Sequence, residues 1–496
     1  MSSESIALPI APELGRLGTA TRPRIGLRLT ATERKYLLRL TDLILVNGSL
    51  LAAVTIWNGF PLSLPALLDN AKWFITLSVL WLIVATILDV YNLARSANTT
   101  NIVIASSLAV LLSAFIYLAI PWLTPPLGAR SYAFGFLLFS VLAVVAWRVF
   151  YAQALIQPAF RRRVLILREG KSAQALLDAL SRDGQADSAN PFCGTGYQIV
   201  GLVADRPTQL WGGAGGIPLL GPARQVVRLA RQHAVDEIVV ALDDAGALSP
   251  EAREALLDCR ELGLPVSPLP TVYERLTGRL PVDYAQYDMS LILGPADSLA
   301  SRLYATVKRL LDILLALVGL VVLAQLSLVV ALCNALWSPG PLFYRQQRVG
   351  RGGRPFAVLK FRSMIPNAER ISGTVWCDEK DPRITPVGRW LRKSRLDELP
   401  QVVNVLRGEM SIVGPRPERP HFVGQLTNAL PVYRARNAVK PGITGWAQVC
   451  YRYGSSVEDG RVKLEYDLYY VKNANIYMDL HILLQTVPVV LGLQGR

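Results

Sequence analysis

The chain reads as a membrane protein of mixed class: a four-helix transmembrane domain, a parallel α/β domain, and a basic α+β domain carrying one further apolar helix. Three observations lead there. Hydrophobic residues make up 51% of the 496 positions and mean hydropathy is +0.31, which at this length points to membrane spans as well as buried cores. Apolar runs of spanning length crowd the first third of the chain, and short β-branched runs alternating with helical stretches follow them. The formal net charge of +15 favours an anionic partner, either a phosphorylated substrate or acidic membrane lipid. Nucleic acid is set aside, because no recognition helix, finger spacing or aromatic RNA-binding signature occurs.

Residues 1–36, rich in Pro, Gly, Ser and Arg, read as a disordered cytoplasmic tail without a cleavable signal peptide. Residues 37–157 hold four apolar runs, Leu37–Trp57, Trp73–Tyr91, Ile102–Leu123 and Tyr132–Leu155. Each approaches the ~20 residues that span a ~30 Å hydrocarbon core. Arg34, Lys35 and Arg39 precede the first run and Arg161, Arg162 and Arg163 follow the fourth. Basic flanks at both ends place both on the cytoplasmic side. Trp57, Trp73, Tyr91, Trp122 and Tyr132 stand where an interfacial aromatic belt would fall.

In residues 161–285, Val164–Leu167, Ile199–Val203 and Glu237–Ala241 read as strands between helices at Ala173–Leu180 and Arg224–His233. The first strand runs into Arg168-Glu169-Gly170-Lys171-Ser172 rather than a G-x-G-x-x-G turn, which favours a structural or dimerising role over dinucleotide binding. Cys193, Cys259, Cys333, Cys377 and Cys450 are scattered without a C-x-x-C pair, so neither a disulfide framework nor a zinc site is expected. His233, His421 and His481 lie near no nucleophile motif and read as structural.

After a linker at 286–303 comes a fifth apolar run, Leu310–Trp337, with Lys308 and Arg309 before it and Arg345, Arg348, Arg351 and Arg354 after it. A crossing would leave one basic flank outside, so a helix that enters the membrane and returns, over about 308–338, is expected instead. Gln325 stands near its middle and could bond carbonyls freed by a bend. From Phe343 the chain is basic and punctuated by Pro and Gly, and ends in aromatic-apolar helices over 463–472 and 476–493 that suit either an interfacial or a core position.

The chemistry is densest in Arg392-Lys-Ser394-Arg395-Leu-Asp397-Glu398-Leu-Pro400, which continues to Gly414-Pro415-Arg416-Pro417. Adjacent helical residues project ~100° apart, so Asp397 and Glu398 are expected to do two jobs. Ser394 and Asp397 have the spacing of a capping box, opening an amphipathic helix with Leu396, Leu399, Val403 and Leu406 inward. In such a first turn the helix dipole and nearby Arg392 and Arg395 would hold Asp397 ionised.

Arg-x-x-Ser-x-x-Asp397-Glu398-Leu-Pro-Gln through Asn404-Val-Leu-x-Gly408 to Val-Gly-Pro-Arg416-Pro resembles the signature of the bacterial monotopic phosphoglycosyl transferases. The resemblance covers about 304–487 and includes Lys308-Arg309-x-x-Asp312 and Ser338-Pro339 at the ends of that family's re-entrant helix. Gln325 departs from the pattern, standing where the family carries a mid-helix proline. The resemblance implies a Rossmann-like domain at 161–285 and a catalytic domain at 304–496. It implies that Asp397 attacks the sugar-linked phosphorus of a UDP-hexose, glucose or galactose, and passes the sugar phosphate to undecaprenyl phosphate. It further implies Mg²⁺ held by Asp397 and Glu398, with Lys360, Arg362, Arg383, Arg392, Arg395 and Arg416 as phosphate ligands. The enzyme would sit in the bacterial inner membrane, with a homodimer left open. A non-enzymatic sensor or scaffold, with a basic lipid-binding C-terminal domain, is the competing class.

Overall fold

The structure, a computed structural model, describes residues 31–91, 99–126, 130–155, 162–169, 197–204, 217–242, 248–285, 299–365, 381–430, 432–451 and 456–491. Residues 1–30 of the expected tail, the helix at 173–180, the loop after the first strand, the 286–298 linker segment, Cys193 and Cys377 lie outside them.

Four apolar helices pack together: α1 (Ala31–Asn58), α2 (Ala71–Ile87), α3 (Thr99–Leu118) and α4 (Arg130–Phe150). The first begins six residues before the apolar run proper, inside the segment assigned to the tail. Glu33–Asn58 of α1 and Tyr132–Gln153, which runs from α4 into the π-helical turn after it, are long and apolar enough to cross a bilayer, whereas the apolar parts of α2 and α3 are shorter. Leu38, Val46, Leu50 and Ala53 repeat about once per turn and face the bundle core. Asp42 falls on the same stripe and pairs with Arg148 of α4, both side chains fully buried, with the Tyr91 ring 5.4 Å from the guanidinium. Losing one partner of such a pair costs about 3–5 kcal/mol, because the other charge is left buried alone. Of the five aromatic residues expected at an interface, Trp73, Tyr91 and Tyr132 are buried among the helices, and Trp57 and Trp122 are the exposed members.

The α/β domain is a five-stranded sheet, β1 (Arg162–Glu169), β2 (Tyr197–Val203), β3 (Leu219–Gly221), β4 (Glu237–Leu242) and β5 (Val266–Pro268), in the order β3-β2-β1-β4-β5. All neighbours pair in parallel. Alternation explains its burial: Val164 and Ile166 join one apolar cluster and Leu165 and Leu167 the other. Both faces are thus covered, as a parallel sheet requires. Helices α5 (Val226–Gln232) and α6 (Pro250–Glu261) cover one face and α7 (Leu269–Thr277) the other.

Helix α8 runs unbroken from Leu299 to Trp337, 39 residues or about 58 Å at ~1.5 Å per residue. The helix shows no break at 323–326, where the expected bend would fall, and Gln325 lies exposed. Asp312, Ala316, Leu323, Val330 and Asn334 form a buried stripe along it. At Gly319 a Cβ would stand 2.8 Å from Val402, so the glycine permits close approach. Leu310, Leu314, Val318, Val321, Leu328, Leu332 and Leu336 line the exposed side.

The remaining domain is built on that stripe. Hairpin β6 (Phe343–Val349) and β7 (Pro355–Phe361), helices α9 (Pro386–Lys393) and α10 (Val402–Arg407), and strand β8 (Ser411–Val413) pack along α8. Helix α11 (Pro420–Ala429), strand β9 (Gly442–Thr444) and helices α12 (Val457–Asn473) and α13 (Ile476–Leu491) complete it. Leu464, Leu468 and Tyr470 of α12 are buried, so this helix is core rather than interfacial. Helix α13 reaches the membrane bundle, where Gln485 Nε2 donates to the Thr86 carbonyl and Arg39 to the Tyr477 hydroxyl.

Candidate active site

Between α9 and α10 the backbone turns sharply. Arg395 takes a left-handed conformation (φ 57°, ψ 13°), and Leu396–Gln401 then form a 3₁₀ turn. The expected capping box is therefore absent. Ser394 closes α9, its hydroxyl donating back to the carbonyls of Trp390 and Leu391, and the left-handed residue separates it from Asp397. The single amphipathic helix becomes a 3₁₀ turn followed by α10, with Leu396, Leu399, Val403 and Leu406 against the core.

The tight turn carries Asp397 and Glu398. Glu398, only 7% exposed, takes a hydrogen bond from Lys360 Nζ at 2.8 Å. Arg416 grips both its oxygens, at 2.5 and 3.1 Å. Asn404 holds this geometry together: its amide accepts from Leu359 N and donates to the Ala357 carbonyl and to Glu409, tying α10 to the strand that bears Lys360.

The two carboxyls are driven apart electrostatically. Burial first, and the adjacent Glu398 charge second, push Asp397 up to about 6 against the pull of Lys360, Arg392 and Arg416. Burial opposes ionisation of Glu398 also, but Arg416 and Lys360 outweigh it and hold Glu398 well below the usual range. This corrects the expectation that a helix dipole, Arg392 and Arg395 keep Asp397 strongly ionised. Such a split is how one site gives two carboxyls two roles: Glu398 is held as the anion by Lys360 and Arg416, and Asp397 has its charge uncommitted.

Of the other predicted phosphate ligands, Arg392 acts on Asp397 electrostatically, and Arg395 starts the turn. Arg362 and Arg383 are not brought to the pair. Arg362 donates to the carbonyls of Ser338 and Pro339, closing the C-terminal end of α8, and Arg383 folds onto Asp381, Nε to Oδ1 at 2.8 Å. At the other end of α8, Lys308 pairs with Asp479 at 2.8 Å. Arg309 caps α10 through the carbonyls of Val405 and Leu406, and Asp312 accepts from Ser411 Oγ and Ile412 N.

Sequence reasoning missed Arg436 and Asp467, which form a buried pair behind Arg416. The signal was an aspartate between the buried leucines 464 and 468, a position that demands a partner. For a metal, no cluster of three Asp, Glu, His or Cys is found among the described residues. A magnesium ion completed by substrate phosphates needs only one or two carboxylates, and Asp397, uncommitted beside Glu398, fits that donor set.

The family model described as bacterial sugar transferase matches residues 303–493, and one described as CoA-binding domain matches 86–245. A relative from Aeromonas hydrophila, a UDP-N-acetylgalactosamine-undecaprenyl-phosphate N-acetylgalactosaminephosphotransferase, is 41% identical over 52% of this chain and 59% of its own length. A UDP-glucose:undecaprenyl-phosphate glucose-1-phosphate transferase from Xanthomonas campestris is 42% identical over 38% of this chain and 40% of its own. The exopolysaccharide production protein PSS of Rhizobium leguminosarum is 42% identical, and the match spans 36% of this chain and 92% of that protein. The chain thus covers less than two thirds of the first two relatives and nearly all of the third.

Any reaction in which Asp397 acts as nucleophile or base is expected to keep its rate above about pH 6 and lose it below, as Asp397 takes up a proton. Glu398→Gln removes the neighbouring charge and leaves Lys360 and Arg416 to Asp397, so in its residual activity that acidic limb moves to lower pH. The pH dependence of kcat/KM for both proteins checks this.

Proposed function

The chain belongs to the bacterial sugar transferase family, and from that premise we propose that it moves a hexose 1-phosphate from a UDP-sugar to undecaprenyl phosphate, releasing UMP. The observation that carries this reading is the split carboxyl pair, one member saturated by Lys360 and Arg416 and the other uncommitted. The product, a polyprenyl-diphospho-sugar, primes an exopolysaccharide, capsule or O-antigen. The relatives' names divide between glucose and N-acetylgalactosamine, and the assignment here stops at the hexose class.

Asp397 attacks the sugar-linked phosphorus. The phosphoanhydride breaks, its electron pair leaves with UMP, and an aspartyl phospho-sugar remains. The lipid phosphate then attacks the same phosphorus, the acyl-phosphate bond breaks, and Asp397 is regenerated as a carboxylate. One anhydride is made for one broken. Lys360, Arg392 and Arg416 offset charge on the transferring group, where most of the catalysis of phosphoryl transfer resides. Glu398, held low, is a poor base at neutral pH, and its role is to keep Lys360 and Arg416 in place. Bound magnesium would supply further neutralisation of the diphosphate.

The reading also places α8 without a crossing. One domain grips both of its ends, through Lys308, Arg309 and Asp312 at the start and Arg362 at the finish, and its core packs against the middle. A crossing would drag that polar domain into hydrocarbon, where each unpaired backbone group costs several kcal/mol. Helix α8 instead offers its leucine-rich side to one leaflet, bringing Asp397 to the headgroup plane of the cytoplasmic face of the inner membrane.

Two results are expected. Asp397→Ala and Asp397→Asn inserted in membranes release no UMP above background from UDP-hexose and undecaprenyl phosphate, and turnover near the wild-type rate would remove Asp397 as nucleophile. In a cysteine-free background, Leu303→Cys in the first turns of α8 and Arg354→Cys beyond its end both react with an impermeant maleimide only after the cytoplasmic side is exposed. Labelling of either from outside intact cells would show a crossing.

A further inference from the structure

Helix α12 is held on two opposite sides. Residues two apart on a helix project about 200° apart, and Glu465 and Asp467 serve different neighbours accordingly. On one side, the Glu465 carboxylate accepts from the Tyr273 hydroxyl, the Glu465 main-chain carbonyl accepts from the Leu280 amide, Lys472 pairs with Glu274 at 2.6 Å, and Arg461 pairs with Asp283, all partners from the α/β domain. On the other, Asp467 is buried against Arg436, accepting from Nε at 3.0 Å and Nη2 at 2.7 Å. Arg436, itself buried, spends its other contacts on the Tyr433 hydroxyl and, through Nη2, on the main-chain carbonyl of Arg416 at 2.8 Å.

Resting on the transferase reading above, we propose that Asp467 and Arg436 are a positioning pair for the reaction: they fix the main chain at Arg416 so that its guanidinium stays on Glu398. A buried ion pair is weak support for stability, since desolvation of both charges offsets their attraction. A planar guanidinium locked by a carboxylate is, however, a rigid placement device. The pair touches neither member of the dyad and acts only through Arg416. Helix α12 thereby also joins the dyad to the α/β domain docked on its other side.

The test uses the full-length protein in membranes, with Asp467→Asn as the first variant. A slight misplacement of Arg416 is expected to lower kcat by about ten- to a hundredfold, with KM for the nucleotide sugar little changed. Asp397 loses one of its cations, so the acidic limb of the pH–rate profile moves up, opposite to the direction expected for Glu398→Gln. Amide hydrogen exchange over 414–419 is expected to speed up, a readout that needs no turnover and so separates failure of this proposal from failure of the transferase reading. If Asp467→Asn does not accumulate in membranes, Arg436→Lys, which keeps the charge but loses the fork, carries the same measurements. Wild-type kcat, an unmoved acidic limb and unchanged exchange in the variant that folds would make the pair merely structural and overturn the proposal.

Discussion

Two adjacent carboxyls in a buried pocket cannot both be stabilised as anions by the same two cations, and the geometry of the candidate site follows from how that conflict is resolved. Lys360 and Arg416 converge on Glu398. Asp397, one residue away, is left with burial and a neighbouring negative charge, and its pKa rises to about 6. A carboxylate poised there at neutral pH is ionised but not tied down, as a nucleophile should be. The 3₁₀ turn and the left-handed Arg395 before it present the two side chains differently, while Asn404 keeps the strand bearing Lys360 in register with the turn.

The same economy governs α8, which is a core element of its domain on one side and an exposed apolar surface on the other. Helix α13 extends the contact to the membrane bundle through Gln485 and Tyr477, and α12 extends it to the α/β domain. The catalytic domain is thus attached to both other parts of the chain by helices that also fill its core.

Much of this was legible in the sequence. The apolar runs gave the bundle helices, the period-two runs Val164–Leu167 and Glu237–Ala241 became neighbouring parallel strands, and the Asp397-Glu398 motif marked the turn on which Lys360 and Arg416 converge. The failures have physical causes. Capping-box spacing at Ser394 was overridden by one left-handed residue, which no local pattern announces. Basic flanks on both sides of the apolar run suggested a bend, but without a proline an exposed glutamine at 325 leaves the helix unbroken at little cost. Arg362 and Arg383, expected as phosphate ligands, stand apart from the carboxyl pair on a carbonyl and a carboxylate, partners that the sequence does not reveal. The Asp467–Arg436 pair was invisible because its members stand 31 residues apart and only the fold brings them together.

The central claim is that Asp397 carries the sugar phosphate covalently between donor and acceptor. Its most direct test is peptide mass spectrometry of the wild-type protein quenched after incubation with UDP-hexose and Mg²⁺ in acceptor-free membranes. The account predicts a hexose-phosphate adduct on the peptide bearing Asp397 that disappears when undecaprenyl phosphate is added. UMP formed only when acceptor is present, with no adduct on Asp397 at any time, would contradict it.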